Sequence, residues 1–118
     1  MEKHQLKPDF DPPVLVLTTC ADETSAQELV RALVGERWVA CAQILAPVQS
    51  HYHWKGELCV EREVPVQLKT RQSLVVGLQT RLQALHSYDV AEFLVLPCVH
   101  VSPAYGSWLR QETREAGS

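Results

Sequence analysis

The sequence lacks the features that mark membrane proteins, nucleic-acid binders and secreted proteins. No apolar run is long enough to cross a bilayer. Eleven Lys and Arg stand against 14 Asp and Glu, which gives a formal net charge of -3 and no basic stripe to neutralise phosphates. Residues 1–13 contain no apolar signal-peptide core. We therefore expect a cytoplasmic protein that binds neither a membrane nor nucleic acid.

Sequence signatures of the common enzyme classes are also missing. There is no G-x-S-x-G, no H-E-x-x-H and no Gly-rich phosphate loop. The loop at residues 18–22 contains no Arg that would cradle an acyl phosphate. The four cysteines are widely spaced without a C-x-x-C pair, which favours free thiols over a disulfide framework. These absences predict that the protein is not an enzyme.

The composition is that of one globular domain. The hydrophobic fraction is 46% and the charged fraction 21%, enough apolar surface to form a core in a chain of this size. Prolines at the end of the first 13 residues hold that segment extended. We expect a flexible tail over residues 1–13 and a single domain over residues 14–118.

The first half of the domain is predicted to form a strand, a helix and a long hairpin. An apolar, β-branched run from Val14 predicts a buried strand that ends at Cys20. Thr24 with Gln27 matches a capping box, which predicts a helix that ends near Gly35.

The hairpin begins with residues 38–54, which are predicted to form one long strand with Pro47 at a bulge or an edge position. Lys55 and Gly56 form a two-residue turn, and residues 57–70 return. We expect the outer half of this hairpin, polar and aromatic, to project beyond the sheet.

The second half supplies another helix, a strand and a terminal helix. Helical spacing of apolar residues covers 73–86, a strand fits within 92–101, and Ser102-Pro103 opens the last helix. The order β-α-β-β-α-β predicts an α+β, ferredoxin-like fold. Its antiparallel sheet has four strands, with both helices on one face and an extended hairpin between the second and third strands.

This topology brings metal-ligating side chains to one end of the domain. The first and last strands are neighbours, so Cys20 lies near Glu92, and the second helix delivers His86 and Tyr88 to the same end. Thiolate, imidazole and carboxylate together suit copper or zinc. The first helix also begins here, and its N-terminus could hold an anion instead. Equally, His86 could cap its helix and Glu92 could pair with a lysine.

The hairpin tip carries two further pairs of side chains. Tyr52 and Trp54 share one face of their strand, where we favour packing against another subunit over stacking on a ligand. His51 and His53 share the opposite face and form a second, weaker candidate metal pair, since no third ligand is evident.

The chain resembles the CutA divalent-ion tolerance proteins over residues 14 to 112. The motifs that carry this resemblance stand in the family's order and are Leu17-Thr18-Thr19-Cys20 with Asp22, Ala40-Cys41-Ala42, Ser50, Tyr52, Trp54, Gly56, Glu57, Glu63, Lys69-Thr70, His86, Tyr88, Glu92, Leu96-Pro97, Tyr105 and Trp108.

The resemblance implies a homotrimer, similar in build to the PII signalling proteins, whose long hairpins pack across subunits. It also implies copper binding through Cys, His and Glu, with His86 and Glu92 at the family's positions. The family cysteine can fall where this chain has Thr18. Cys20 lies on the same strand face, and we expect it to substitute.

This chain departs from the family at two linker positions and in the hairpin. Ser87 and Ala91 stand where many members have proline, so we expect a more mobile linker. His51 and His53 are additions that the family pattern does not require.

Two functions follow from these observations. The first is a metal-binding protein of divalent-cation tolerance, with copper or a related ion held by Cys20, His86 and Glu92. The second is a PII-like signalling or scaffold module that binds an anionic metabolite or a partner protein in a cleft between subunits. The candidate residues for such a cleft are Tyr52, Trp54, Lys55, Lys69, Tyr88 and Trp108.

Overall fold

A computed structural model describes residues 11–117 of the 118-residue chain. The elements, in chain order, are β1 (Pro13–Cys20), α1 (Glu23–Gly35), β2 (Cys41–Ile44), β3 (Val48–Trp54), β4 (Glu57–Arg71), α2 (Val75–Leu85), β5 (Leu94–Pro97) and α3 (Pro103–Glu112).

Most of the predicted tail, residues 1–10, lies outside the described part of the chain. At its end, Asp11 is buried and accepts hydrogen bonds from the Arg71 guanidinium and, at 2.8 Å, from the backbone N–H of Ser73. Pro13 then opens β1.

The sheet is antiparallel, with β1 between β4 and β5. Strands β2 and β3 both pair with β4. The predicted neighbourhood of the first and last strands is therefore confirmed. One face of the sheet packs against both α1 and α2, with Val16 and Leu68 of the sheet meeting Leu33 and Leu78 of the helices. No helix among residues 11–117 has the length and apolarity needed to cross a membrane.

The hairpin extends past the end of the central strand, as the sequence predicts. Pairing of β1 with β4 stops at Cys20 opposite Val64, whereas β4 continues outward for seven residues paired with β3. The turn has two residues, Lys55 at φ 52° and Gly56 at φ 81°. Positive φ at both central positions is what a two-residue hairpin turn with the sheet's own twist requires.

Two predicted boundaries are wrong in detail. Residues 38–54 do not form one strand, because the chain leaves the ladder between Ile44 and Val48, around Pro47, which has no N–H to donate. The last strand, at Leu94–Pro97, does lie within the predicted range 92–101. The second helix is preceded by a 3₁₀ turn and begins as an α-helix only at Val75.

The predicted cap of α1 is also wrong. Asp22, not Thr24, occupies the N-cap position, with an extended backbone and a side chain that accepts a 2.8 Å hydrogen bond from the N–H of Ser25. A carboxylate suits this position better than a hydroxyl because it also meets the positive end of the helix dipole. The N-terminus considered for an anion therefore already holds the carboxylate of Asp22.

Candidate functional site

A cleft of about 650 Å³ opens between the hairpin and the linker that joins α2 to β5. We call it the hairpin cleft. Its walls come from the end of β1, from the hairpin and from the linker. The lining residues are Thr19, Ser50, His51, Tyr52, Trp54, Glu61, Glu63, Tyr88, Asp89, Val90, Ala91 and Glu92.

Strand register explains why acidic and aromatic side chains meet here. Ser50 lies opposite Glu61 and Val48 opposite Glu63 in the β3–β4 ladder. Tyr52 is two residues from Ser50 and shares its face. The turn sets this register, so the same hairpin face carries Tyr52, Glu61 and Glu63 toward the linker.

Four carboxyl groups give the hairpin cleft a strongly acidic lining. They belong to Glu61, Glu63, Asp89 and Glu92, and the lining contributed by residues 11–117 includes no Lys or Arg. Glu63 is buried, with 8% of its surface exposed. Burial and the nearby charge of Glu63 raise the pKa of Glu92. A cation in the cleft would offset both effects by favouring the ionised carboxylate.

Tyr88 provides a hydrogen-bond donor for the buried carboxyl group of Glu63. Its hydroxyl donates a 2.8 Å hydrogen bond to Glu63 Oε2. Burial and this bond raise the pKa of Tyr88, so the hydroxyl keeps its proton and acts as a donor at neutral pH. The linker is thereby attached to the hairpin at the base of the cleft.

His86 uses both of its ring nitrogens. Nε2 lies 2.7 Å from the carbonyl oxygen of Thr19, and Nδ1 accepts a 3.0 Å hydrogen bond from the backbone N–H of Tyr88. A carbonyl only accepts, so the proton belongs on Nε2. The neutral ring ties the linker to β1. It becomes a metal ligand only when one of these bonds breaks.

Cys20 lies on the helix side of the sheet, at a small cavity of about 190 Å³ that His86 also lines. Burial raises the pKa of its thiol to about 11, with further contributions from the charges of Asp22 and Glu63. The thiol is therefore neutral at physiological pH. The structure brings Cys20 and His86 together and places Glu92 in the separate hairpin cleft.

These three side chains do not form one metal shell as they stand. Within residues 11–117, no three His, Cys, Asp or Glu side chains are grouped closely enough to hold a metal ion. The assignment of Cys20, His86 and Glu92 as joint ligands stays a prediction.

The six predicted cleft residues divide between two places. Tyr52, Trp54 and Tyr88 line the hairpin cleft, and Lys55 lies in the adjoining turn. The remaining two, Lys69 and Trp108, do not join them.

Lys69 and Trp108 each lie beside Tyr105 of α3 instead. Lys69 Nζ lies 5.8 Å from the ring centroid of Tyr105, whose ring is 5.3 Å from that of Trp108. Lys69 and Tyr105 line a groove of about 320 Å³ beside β1.

His51 lines the hairpin cleft, and its Nε2 lies 3.2 Å from Gln49 Oε1. His53 is exposed on the same strand.

Sequence reasoning missed Glu61, Glu63 and Asp89 as site residues. The signal for the first two was their spacing of two on the returning strand, which places them on one face.

Comparison with known proteins decides the family. The sequence model of the CutA1 divalent ion tolerance protein matches residues 14–112. The chain belongs to this family. The resemblance inferred from the sequence is thus confirmed.

The relatives include curated proteins and solved structures. Divalent-cation tolerance protein CutA of Citrobacter koseri is 41% identical over 101 residues, which are 86% of this chain and 88% of that protein. Protein CutA of Mus musculus is 36% identical over 100 residues, 85% of this chain and 56% of that protein. The chain spans about half the length of the mammalian relatives it matches. The divalent cation tolerance protein of Thermus thermophilus superposes with a TM-score of 0.83 at 35% identity, covering 86% of this chain and 99% of that one.

Proposed function

We propose that this protein acts in the response to divalent metal ions by binding copper or a related divalent ion in the hairpin cleft. It does so as a cytoplasmic homotrimer and without catalysing a reaction. The single observation that carries this proposal is the acidic lining of the cleft, where burial and the charge of Glu63 raise the pKa of Glu92.

The metal-ligating atoms that already face the cleft are carboxylate oxygens. Carboxylates of Glu61, Glu63 and Glu92 face a space large enough for an ion with its bound waters. Copper prefers nitrogen and sulfur ligands. His86 joins the site when its ring leaves Thr19 or the Tyr88 N–H, and Cys20 joins when its thiol loses its proton. Ser87 and Ala91, which replace the family's prolines, lower the cost of that linker movement.

Assembly into a trimer is supported by an apolar sheet face that the chain does not cover itself. Leu15 and Leu17 alternate with the core residues of β1 and so point away from the two helices. They lie opposite Leu96 and Leu94 of β5, which are 41% and 54% exposed. Ferredoxin-like subunits that pack these faces together, as in PII-like proteins, bury this surface and bring a second chain close to the cleft.

The alternative, a module that binds an anionic metabolite, receives little support. The cleft presents four carboxyl groups, and Asp22 occupies the N-terminus of α1. An anion placed in the cleft would meet repulsion from each of these groups.

Isothermal titration of the metal-free 118-residue chain with Cu²⁺ and with Zn²⁺ tests the proposal. Glu92→Gln keeps the shape of the side chain and removes its charge, so we expect binding to weaken by about tenfold or more. Glu57→Gln is the matched control, because Glu57 is exposed at the hairpin tip and outside the cleft lining. Equal affinities for the wild type and Glu92→Gln would overturn the site.

A further inference from the structure

Two exposed histidines share one face of the hairpin. His51 and His53 are two residues apart on β3, so both project from the same face with their β-carbons about 7 Å apart. The residues directly opposite on β4 are Val60 and Leu58, which are 51% and 68% exposed. Neither opposite residue is charged, so neither competes for the imidazole nitrogens.

The neighbour Gln49 orders the first of these rings. Gln49 Oε1 lies 3.2 Å from His51 Nε2. An amide oxygen only accepts a hydrogen bond, so Nε2 carries the proton and Nδ1 keeps its lone pair. Metal-bound histidines are typically held in this way, with the distal N–H donated to a protein oxygen.

The backbone beneath the pair is well defined. Seven consecutive residue pairs join β3 to β4, and the Lys55-Gly56 turn closes the ladder at one end. Such a turn fixes the register of a hairpin, and register decides which face each side chain occupies. The backbone therefore holds both residues on one face of the hairpin before any ion arrives.

We propose that His51 and His53 form a second metal site, a two-imidazole chelate for Cu²⁺ or Ni²⁺ on the exposed face of the hairpin. Imidazole suits both ions, and the usual order of divalent affinities places copper above nickel. Water completes the shell, because a strand pair supplies only two donors. The site shares only the rim residue His51 with the hairpin cleft and needs none of the cleft carboxylates.

The test uses the untagged 118-residue chain, which is titrated with Cu²⁺ and Ni²⁺ by calorimetry. Electron paramagnetic resonance then reports on the bound Cu²⁺. For the wild type we expect, beside any binding in the cleft, a separate binding event whose spectrum reports two nitrogen ligands. His51→Ala and His53→Ala should each weaken that event by about tenfold or more, and the double variant should lose it. Gln49→Ala should weaken it by about tenfold, because the His51 ring loses the hydrogen bond that orients it.

Two controls keep the result specific. His100→Ala removes another exposed histidine, far from β3 in sequence, and should leave the event intact. Glu92→Gln should also leave it intact, because that variant changes only the hairpin cleft. Retention of the same affinity and the same spectrum by the folded His51→Ala, His53→Ala double variant overturns the proposal. Loss of the event in Glu92→Gln would instead place the ion in the cleft, and would also overturn it.

Discussion

The hydroxyl of Tyr88 donates a 2.8 Å hydrogen bond to the buried carboxylate of Glu63. This bond joins the linker before β5 to the returning strand of the hairpin, two segments 25 residues apart in sequence. It supplies the buried carboxylate with a donor and holds one wall of the cleft in place. The bond thereby fixes the position of one of the four acidic groups that line the cleft.

Tyr88→Phe should therefore destabilise the protein. Removing the hydroxyl leaves Glu63 buried without this donor, and a hydrogen bond to a charged group contributes about 1.5–3 kcal/mol. Urea unfolding measures the loss. Tyr105→Phe, on an exposed ring of α3, serves as the control and should change the free energy of unfolding by less than about 0.5 kcal/mol. Equal losses of unfolding free energy in the two variants would show that the Tyr88 hydroxyl stabilises the fold no more than an exposed hydroxyl does.

Glu92→Gln should stabilise the metal-free protein at neutral pH. Burial and Glu63 raise the pKa of Glu92 above its ordinary value of 4.5, so the folded state holds this proton more tightly than the unfolded chain does. The ionised group therefore costs stability above its folded pKa, and that cost disappears as the pH falls toward about 4.5.

Calorimetric Tm values in EDTA at pH 7.5 and at pH 4.5 measure this dependence. The Tm gain of Glu92→Gln should be present at the higher pH and absent at the lower one, whereas Glu57→Gln should show neither. A pH-independent gain, or a loss at pH 7.5, contradicts the electrostatic account of the cleft.

Gly77→Ala should be destabilising although alanine favours helices. A β-carbon at Gly77 would lie 2.5 Å from Cζ3 of the Trp38 ring. That ring also faces the Arg114 guanidinium, 4.1 Å from its centroid. Overpacking of this kind costs about 1–3 kcal/mol, against a helix-propensity gain of about 1 kcal/mol.

Gly35→Ala provides the comparison, because a β-carbon there meets no atom within 4 Å. We expect it to be neutral or slightly stabilising in the same denaturant titration. If Gly77→Ala proves as benign as Gly35→Ala, the Trp38 ring moves aside freely and the close contact is unimportant.

Leu94→Glu should break the proposed trimer. Leu94 is 54% exposed on the sheet face that α1 and α2 leave uncovered, and a carboxylate there would be desolvated against a second copy. Light scattering coupled to size exclusion should give the trimer mass for the wild type and a lower mass for the variant. Val99→Glu, at a fully exposed side chain, should leave the mass unchanged. A monomeric wild type at micromolar concentration would refute the assembly.

Local patterns predicted most of the fold. Alternation and helical spacing located the strands and helices, and Lys55-Gly56 located the hairpin turn. The positions at which strands are interrupted were harder to predict. Nothing in the apolar pattern before Pro47 shows that the chain leaves the sheet there. Helical spacing also gives no sign that the missing side chain of Gly77 admits the Trp38 ring, a contact between residues 39 positions apart.

The candidate site was predicted in outline only. Topology placed Cys20 and His86 together correctly, because both lie where neighbouring elements end. The sequence pattern did not reveal that both ring nitrogens of His86 form hydrogen bonds with backbone groups, because such bonds depend on the path of the linker. The acidic cleft was missed because it arises from the register that brings Glu61 and Glu63 to the linker.

The central claim is that the carboxylates of the hairpin cleft bind a divalent cation. Competition titration of the apo protein with Cu²⁺ and Zn²⁺, carried out on the His51→Ala, His53→Ala background, measures cleft binding without the exposed imidazoles. We predict that this background retains one binding event, and that adding Glu63→Gln and Glu92→Gln weakens that event by about a hundredfold. Binding that is absent from the background protein, or unchanged by the two glutamine substitutions, would contradict the account.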